Sequence, residues 1–410
     1  MAHKRLSDAR THWTRALEAY FSPEGFRIEI NACIQALRNV TFALQADKSK
    51  ISNFDKWYGD WQTRMRSDAR MKWSMKARNS IVKAKDLELH SKVRATLVGS
   101  YVDTETPAIQ ADYSPKITNR RILAEFKRLN IPTHYFAHAQ VKIERRWVVD
   151  EFPQTEFLEL LAYCWTFLAR ILADLPSAGV GGAPKEGPGL PPCMIDDGEF
   201  RSLWIKASTG ELSQLDKTSP RSIRAADIDS AEFERVRQRY GFSASASPER
   251  TGNDLRDRAH YFFDMGKKIL VADGHHIFLV MLFTADKKLL LLELRPDDQS
   301  DKFRMWRKVA SEVKRTNAKS IIAISEAWTT TVATGQPVVH AAEAADRGEA
   351  LHLVAASDDG GGLTLSARFT RTDGKIVIHD TEEHSLESVN VIAPVVAAWK
   401  EMAESRKRGG

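Results

Sequence analysis

The sequence predicts an α+β chain: an N-terminal helical bundle with a β segment, then a C-terminal antiparallel sheet with helices on one face. Three observations predict it. Residues 155–175 are nearly all apolar over a helix-length run, so they need neighbours on every side, as the central helix of a bundle does. After residue 275, short apolar runs recur between turn-forming residues, the pattern of strands joined by hairpins. Between Pro176 and Pro192, ten of seventeen residues are Gly or Pro, which is linker composition. A chain of 410 residues exceeds one core of ordinary size. The expected division is a basic helical domain at 1–175, a linker at 176–192 and an α+β domain at 193–410.

Taken in order, Ser22-Pro23-Glu24 has the form of an N-cap with proline at the first helical position. The helix behind it places Ile30, Cys33, Ile34, Leu37, Thr41 and Leu44 on one face. Asn31, Gln35 and Arg38 form a separate polar stripe. Ser52-Asn53-Phe54-Asp55 reads as a capping box opening one long helix. Phe54, Trp57, Tyr58, Trp61 and Met65 line its buried face, which then becomes mixed through Lys72, Met75, Lys76, Asn79 and Val82. Strand character follows at 93–102 and alternation at 140–149, before the apolar helix. Beyond the linker, a short helical region ends at the soft stretch 243–248. Strands are expected at 277–283, 289–294, 320–324, 350–356 and 363–371, with helices at 301–316 and about 386–403. Thr372-Asp373-Gly374-Lys375 makes a tight turn into a strand at 376–378.

Charge is unevenly distributed. The whole chain is +6, yet its first hundred residues hold 19 Lys/Arg against 10 Asp/Glu. Between Lys56 and Arg94 the ratio is 11 to 4. Positive charge gathered at one end implies a polyanion-facing surface. Trp73 with Arg64, Arg66, Arg70, Lys72, Lys76, Arg78 and Lys83 supplies the materials for stacking bases and neutralising phosphates. Trp57 and Trp61, at i and i+4 on the apolar face, read as core. Trp73, a third of a turn away, reads as the tryptophan open to a ligand.

Other classes are disfavoured. Cys33, Cys164 and Cys193 are isolated, so no disulfide framework is expected and a reducing, cytoplasmic setting fits. The first residues carry charge with no apolar run behind them, unlike a signal peptide. Glu159, Arg170 and Asp174 interrupt the apolar helix, against a membrane span. No cofactor or metal is expected. His134 and His138 read as strand residues about 13 Å apart, and His275 and His276 as strand neighbours on opposite faces. One of the latter pair, with Glu293 or Glu326, could form part of a carboxylate site. Asp273…Glu293-Leu294-Arg295 lacks the lysine of nuclease-like sites.

Two resemblances add to this reading. Arg78-Asn79-Ser80-Ile81-Val82-Lys83 resembles the HEPN family, whose ribonucleases use an Arg, four to six spacer residues and a His. That resemblance implies a helical domain and, in members that cut RNA, a metal-independent site formed on dimerisation. Lys83 stands where the His would be, and lysine is a poor acid or base near neutrality. The next histidine is His90. Separately, Ala77–Lys83, Asp86-Leu87-Glu88, Glu144–Asp150 and the helix at Glu156–Leu161 resemble a family of bacterial proteins. This second resemblance covers about residues 20–175, implies that the span is one unit, and implies no activity.

The function expected is therefore non-enzymatic binding. Nucleic acid, with RNA favoured, meets the basic helical half, and a protein partner or second subunit meets the C-terminal half. The alternatives are a HEPN-like ribonuclease of toxin or antiviral type and a structural protein whose basic face binds an acidic partner.

Overall fold

In a computed structural model of the chain, the residues described are 1–82, 87, 89–101, 108–114, 116–176, 201–213, 221–222, 230–242, 254–286, 289–330, 341, 344–386 and 390–409. They form two units, Met1–Leu97 with Pro107–Leu212, and Val98–Thr106 with Ser213–Gly410. The Gly/Pro run lies outside the described residues from 177 onward. The first unit nevertheless continues past it, to Leu212.

That unit opens with α1 (Ala2–Glu18) and α2 (Pro23–Ala46), an antiparallel hairpin in which Cys33 Sγ meets Ala9 O and His12 meets Glu29. α1 escapes an apolar-periodicity reading because its inward stripe, Ala2, Leu6, Ala9, Trp13 and Ala16, is mostly alanine. α2 begins at Pro23 as expected and buries Phe26, Ile30, Cys33, Ile34, Leu37, Thr41 and Leu44 among others. The long helix expected from Asn53 is two helices, α3 (Phe54–Ser67) and α4 (Ala69–Val82). The expected capping box is not formed, since Asn53 is left-handed and makes no side-chain cap bond.

β1 (His90–Val98) and β2 (Ala108–Tyr113) pair antiparallel. Helices α5 (Asn119–Phe126) and α6 (Thr133–Ala137) precede β3 (Gln140–Val148) and α7 (Phe157–Ala173). The fourth strand, β4 (Arg201–Lys206), pairs antiparallel with β3 and completes a sheet of order β2-β1-β3-β4. The expected strand at His134 is instead α6, with His138 as its C-cap.

α7 is the centre of the helical core, as its composition requires, with Leu158, Leu160, Leu161, Cys164, Trp165, Leu168 and Ile171 buried. Glu156 caps it. Its Oε2 accepts from Leu158 N at 2.7 Å and Glu159 N at 3.2 Å, and its Oε1 accepts from the Tyr20 hydroxyl at 2.9 Å. Alternation along β3 turns Val141, Ile143, Arg145 and Trp147 inward. Trp147 stacks on Phe26 and donates to Tyr20 O. Arg145 is fully buried beside it, with one bond, Nη2 to Ile117 O at 2.9 Å. Among the described residues, its Nε and Nη1 find no acceptor. Burial pushes this guanidinium down to about 10, against a smaller opposing pull from Tyr20. Cys33 and Cys164 are buried free thiols, and burial pushes both upward, Cys164 to about 12. Cys193 lies outside the described residues.

The second unit is built on one seven-stranded sheet, all of whose pairs are antiparallel. Its strands are β5 (Arg221–Ser222), β6 (Leu279–Thr284), β7 (Leu289–Glu293), β8 (Ala318–Thr329), β9 (Gly348–Ser357), β10 (Gly362–Thr372) and β11 (Lys375–Ser385). Their order is β11-β10-β9-β8-β6-β7-β5. The expected turn joins β10 to β11, with Asp373 and Gly374 both at positive φ. Helix α8 (Ser230–Tyr240) packs on α9 (Leu255–Asp273), and α10 (Gln299–Thr316) packs on α11 (Ala393–Gly409).

Helices cover both faces of this sheet, not one. Val280, Leu282, Ile321, Ala323, Val354 and Ala356 face α10 and α11, whereas Met281, Ile322, Ile324, Leu351, Leu353 and Ala355 face α9. Strands buried on both faces read as continuous apolar runs, so the second layer leaves no alternation to detect. β11 is an exposed edge carrying Lys375, His379, Asp380, Glu382 and Glu383, charges that discourage further strand pairing.

Gly266 lets α9 approach the sheet. A Cβ built there would lie 2.3 Å from Ile324 Cδ1 and 3.4 Å from Leu351 Cδ2. Gly266→Ala is therefore expected to lower stability by about 1–3 kcal/mol through overpacking. That outweighs the roughly 1 kcal/mol alanine gains in an exposed helix. Urea unfolding measures it, and a midpoint that rises would show that Ile324 yields freely.

Candidate nucleic-acid interface

The break between α3 and α4 decides which basic-helix side chains face outward. Asp68 is extended, and its Oδ1 accepts from Met71 N at 2.8 Å while its Oδ2 accepts from the Tyr163 hydroxyl at 2.6 Å. The helical phase restarts there. Trp73, expected to be open to a ligand, is consequently core: it is 5% exposed, edge-on to Phe152 and Phe157. Trp57 and Trp61, expected in the core, are only half-buried, and both indole N–H groups donate to Asp174 Oδ2, at 3.1 and 2.8 Å.

The charges of α3 and α4 stand apart from carboxylates. Among the described residues, Lys56, Arg64, Arg66, Arg70, Lys72, Lys76 and Arg78 make no ion pair. Arg64 lies over the Trp61 ring at 4.7 Å and Arg70 over Tyr163 at 4.4 Å. Lys72 and Lys76 are exposed one turn apart on the side of α4 opposite Met71, Trp73, Ser74 and Ala77.

Two of the arginines converge. Arg38 from α2 lies 4.4 Å from the centre of the Phe42 ring, and Arg78 from α4 lies 5.7 Å from the same ring. Phe42 is 40% exposed. Arg38 also donates to Thr41 Oγ1 at 2.8 Å, and Arg78 to Asn79 Oδ1 at 3.4 Å. Burial lowers the Arg38 guanidinium's pKa, and the like charge of Arg78 lowers it further, against a pull upward from Tyr58. Two like charges therefore flank an open aromatic ring, with no acidic partner among the described residues. A cation–π contact offsets part of their repulsion, and an anion would offset more.

The family described as bacteriophage lambda protein ea47 matches residues 1–409. The chain belongs to that family. Protein ea47 of Escherichia phage lambda is 27% identical over 334 residues, which is 79% of this chain and 78% of the relative. No solved structure matches. The ea47 match runs through both units, whereas the resemblance carried by the sequence segments spans only residues 20–175.

In this ea47-family chain the remaining expected residues fall as follows. Lys83 lies outside the described residues. His90 opens β1 and pairs with Asp150 at 2.8 Å. His275 and His276 precede β6, with His276 N donating to Glu326 Oε1. Arg371 holds Glu326 Oε2 at 3.0 Å and Arg295 holds Glu293 Oε1, so both carboxylates are already engaged by arginines. Among the described residues, no group of three or more His, Cys, Asp and Glu could hold a metal ion. Nor is any described helix long and apolar enough to cross a membrane. Phe42 escaped the sequence reading because a lone aromatic in an apolar helix signals core. The cue was its position, seven residues from Gln35 and four from Arg38, on the polar stripe.

Proposed function

We propose that the N-terminal unit binds single-stranded nucleic acid, RNA in preference, without cleaving it. The observation that carries this is the pair Arg38 and Arg78 around the exposed Phe42 ring, neither in an ion pair among the described residues. An exposed ring flanked by cations suits an unstacked base and its neighbouring phosphates. Duplex bases are already stacked on one another and leave such a ring unused. Lys72, Lys76, Arg64, Arg66 and Arg70, on the same pair of helices α3 and α4, add positive charge to the unit without an ion pair among the described residues.

Fluorescence anisotropy with a labelled 12-nucleotide RNA, titrated across salt, tests the reading. Affinity is expected to fall steeply with salt, by a log–log slope of roughly −0.7 per phosphate contact. Replacing Arg38 and Arg78 together by alanine should weaken binding at least tenfold and reduce the slope by about 1.4, the share of two contacts. Phe42→Ala should weaken binding by about 1–3 kcal/mol with the slope unchanged, since stacking releases no counterions. Affinity that stays flat between low and moderate salt sinks the proposal.

A further inference from the structure

Between α1 and α2 lies an open groove of about 630 Å³. Its α2 wall is the polar stripe, with Asn31, Gln35 and Asn39 spaced four residues apart, and Ile28 at one end. Its α1 wall contributes His12 and Arg15. Asn31 Oδ1 is buried with no partner, and among the described residues the Gln35 and Asn39 amides and the Arg15 guanidinium bond to nothing. His12 is oriented by Glu29 at 2.8 Å. A carboxylate only accepts, so that bond places a proton on Nδ1 and leaves Nε2 able to accept in the neutral ring. Ile28, 52% exposed, adds an apolar surface.

We propose that this groove reads the base edges of a single strand running along α2, so that the protein discriminates between base compositions. The inference rests on the reading of this unit as a nucleic-acid binder. Each amide offers a donor beside an acceptor, the pairing that nucleobase edges present and that a row of phosphates or carboxylates does not. Asn31 to Asn39 spans about 12 Å of helix, the rise of three to four stacked bases. Phe42 follows Asn31 by eleven residues, close to three whole turns, so the arginine-flanked ring continues the same stripe. A strand stacked at Phe42 is thereby led into the groove, with Arg15 available to a phosphate.

The test uses the full chain with labelled 12-nucleotide oligo(A), oligo(C) and oligo(U), and the corresponding DNA strands. The wild-type protein is expected to favour one homopolymer over another by about tenfold. Gln35→Ala with Asn39→Ala, both on accessible positions, should bring the polymers within threefold of each other while the salt slope stays unchanged. Asn31→Asp, which keeps the side chain's shape but replaces its N–H donors by an acceptor, should weaken the preferred polymer most, because the base edge it meets loses a donor. Circular dichroism on each variant confirms folding. Salt-dependent but indiscriminate binding by the wild-type chain, or a preference that survives the double substitution, overturns the groove proposal alone. Absence of salt-dependent binding to any strand overturns both proposals, and tight binding of an acidic peptide in its place would assign the groove to protein.

Discussion

Replacing Glu156 by alanine is expected to lower the stability of the N-terminal unit by about 3–5 kcal/mol, the range seen when one member of a buried polar network is removed. The carboxyl is fully buried and is the only side-chain cap of α7. Its loss strands two helix N–H groups and the Tyr20 hydroxyl away from water, and each unpaired buried donor carries a desolvation penalty of roughly 1–3 kcal/mol. It also withdraws an acidic group from the positive end of a helix. Glu156→Gln should be far milder, about 1 kcal/mol, because the amide oxygen still accepts from the helix and Tyr20 can turn its hydroxyl to accept from the amide. Urea unfolding followed by tryptophan fluorescence reports the unit directly, since Trp13, Trp147 and Trp165 are buried in its core. An alanine variant within 1 kcal/mol of wild type would mean that α7 is held by its apolar packing alone.

Arg145→Met is expected to act in the opposite direction. A buried cation with two unpaired nitrogens is a candidate for stabilisation by an apolar side chain of similar length, with gains on the order of 1–4 kcal/mol. Burial holds the folded guanidinium at about 10, well below its ordinary value, a penalty of roughly 3 kcal/mol at neutral pH. Because the folded value is the lower one, that penalty is present in full below pH 10 and fades only as pH rises from there toward the ordinary value. The loss of the bond to Ile117 O and of the contact with the Trp147 ring, 5.2 Å from the guanidinium, offsets part of the gain. The net expectation is a variant about 2 kcal/mol more stable at pH 7, with the difference from wild type shrinking above pH 10. A destabilised Met variant would show that the single bond and the ring contact outweigh desolvation.

Legibility differed between elements for physical reasons. α7 and the strands β6 to β9 announce themselves by their apolar runs, β10 by the alternation of Leu363, Leu365, Ala367 and Phe369, and the turn at Asp373-Gly374 because few residues tolerate positive φ. The division of α3 from α4 was hidden because neither Gly nor Pro marks it. An aspartate cap and one extended residue suffice, and the 69–82 stripe then turns away from the phase of 54–67. Trp73 was misplaced by that same unseen break. β4, a strand of six residues that starts nine positions after Pro192, carries too little apolar pattern to betray a pairing with β3. Of the candidate interface, the charges were legible and their geometry was not. Arg38 and Arg78 meet only because α2 and α4 pack together, forty residues apart in sequence.

The segment Val98–Thr106, assigned to the second unit though flanked by the first, bears on how the chain is made. Tyr101 rests against Phe303 and its hydroxyl accepts from Gln299 Nε2, 198 residues later. At 5–20 residues per second, a ribosome needs roughly 10–40 s to deliver that partner after Tyr101 has emerged. β3 likewise waits for β4, which follows it by more than fifty residues. During synthesis the nascent chain therefore carries an exposed aromatic and an open sheet edge at the same time. A host with slow translation or scarce chaperones should return more aggregated protein than one that completes the chain quickly.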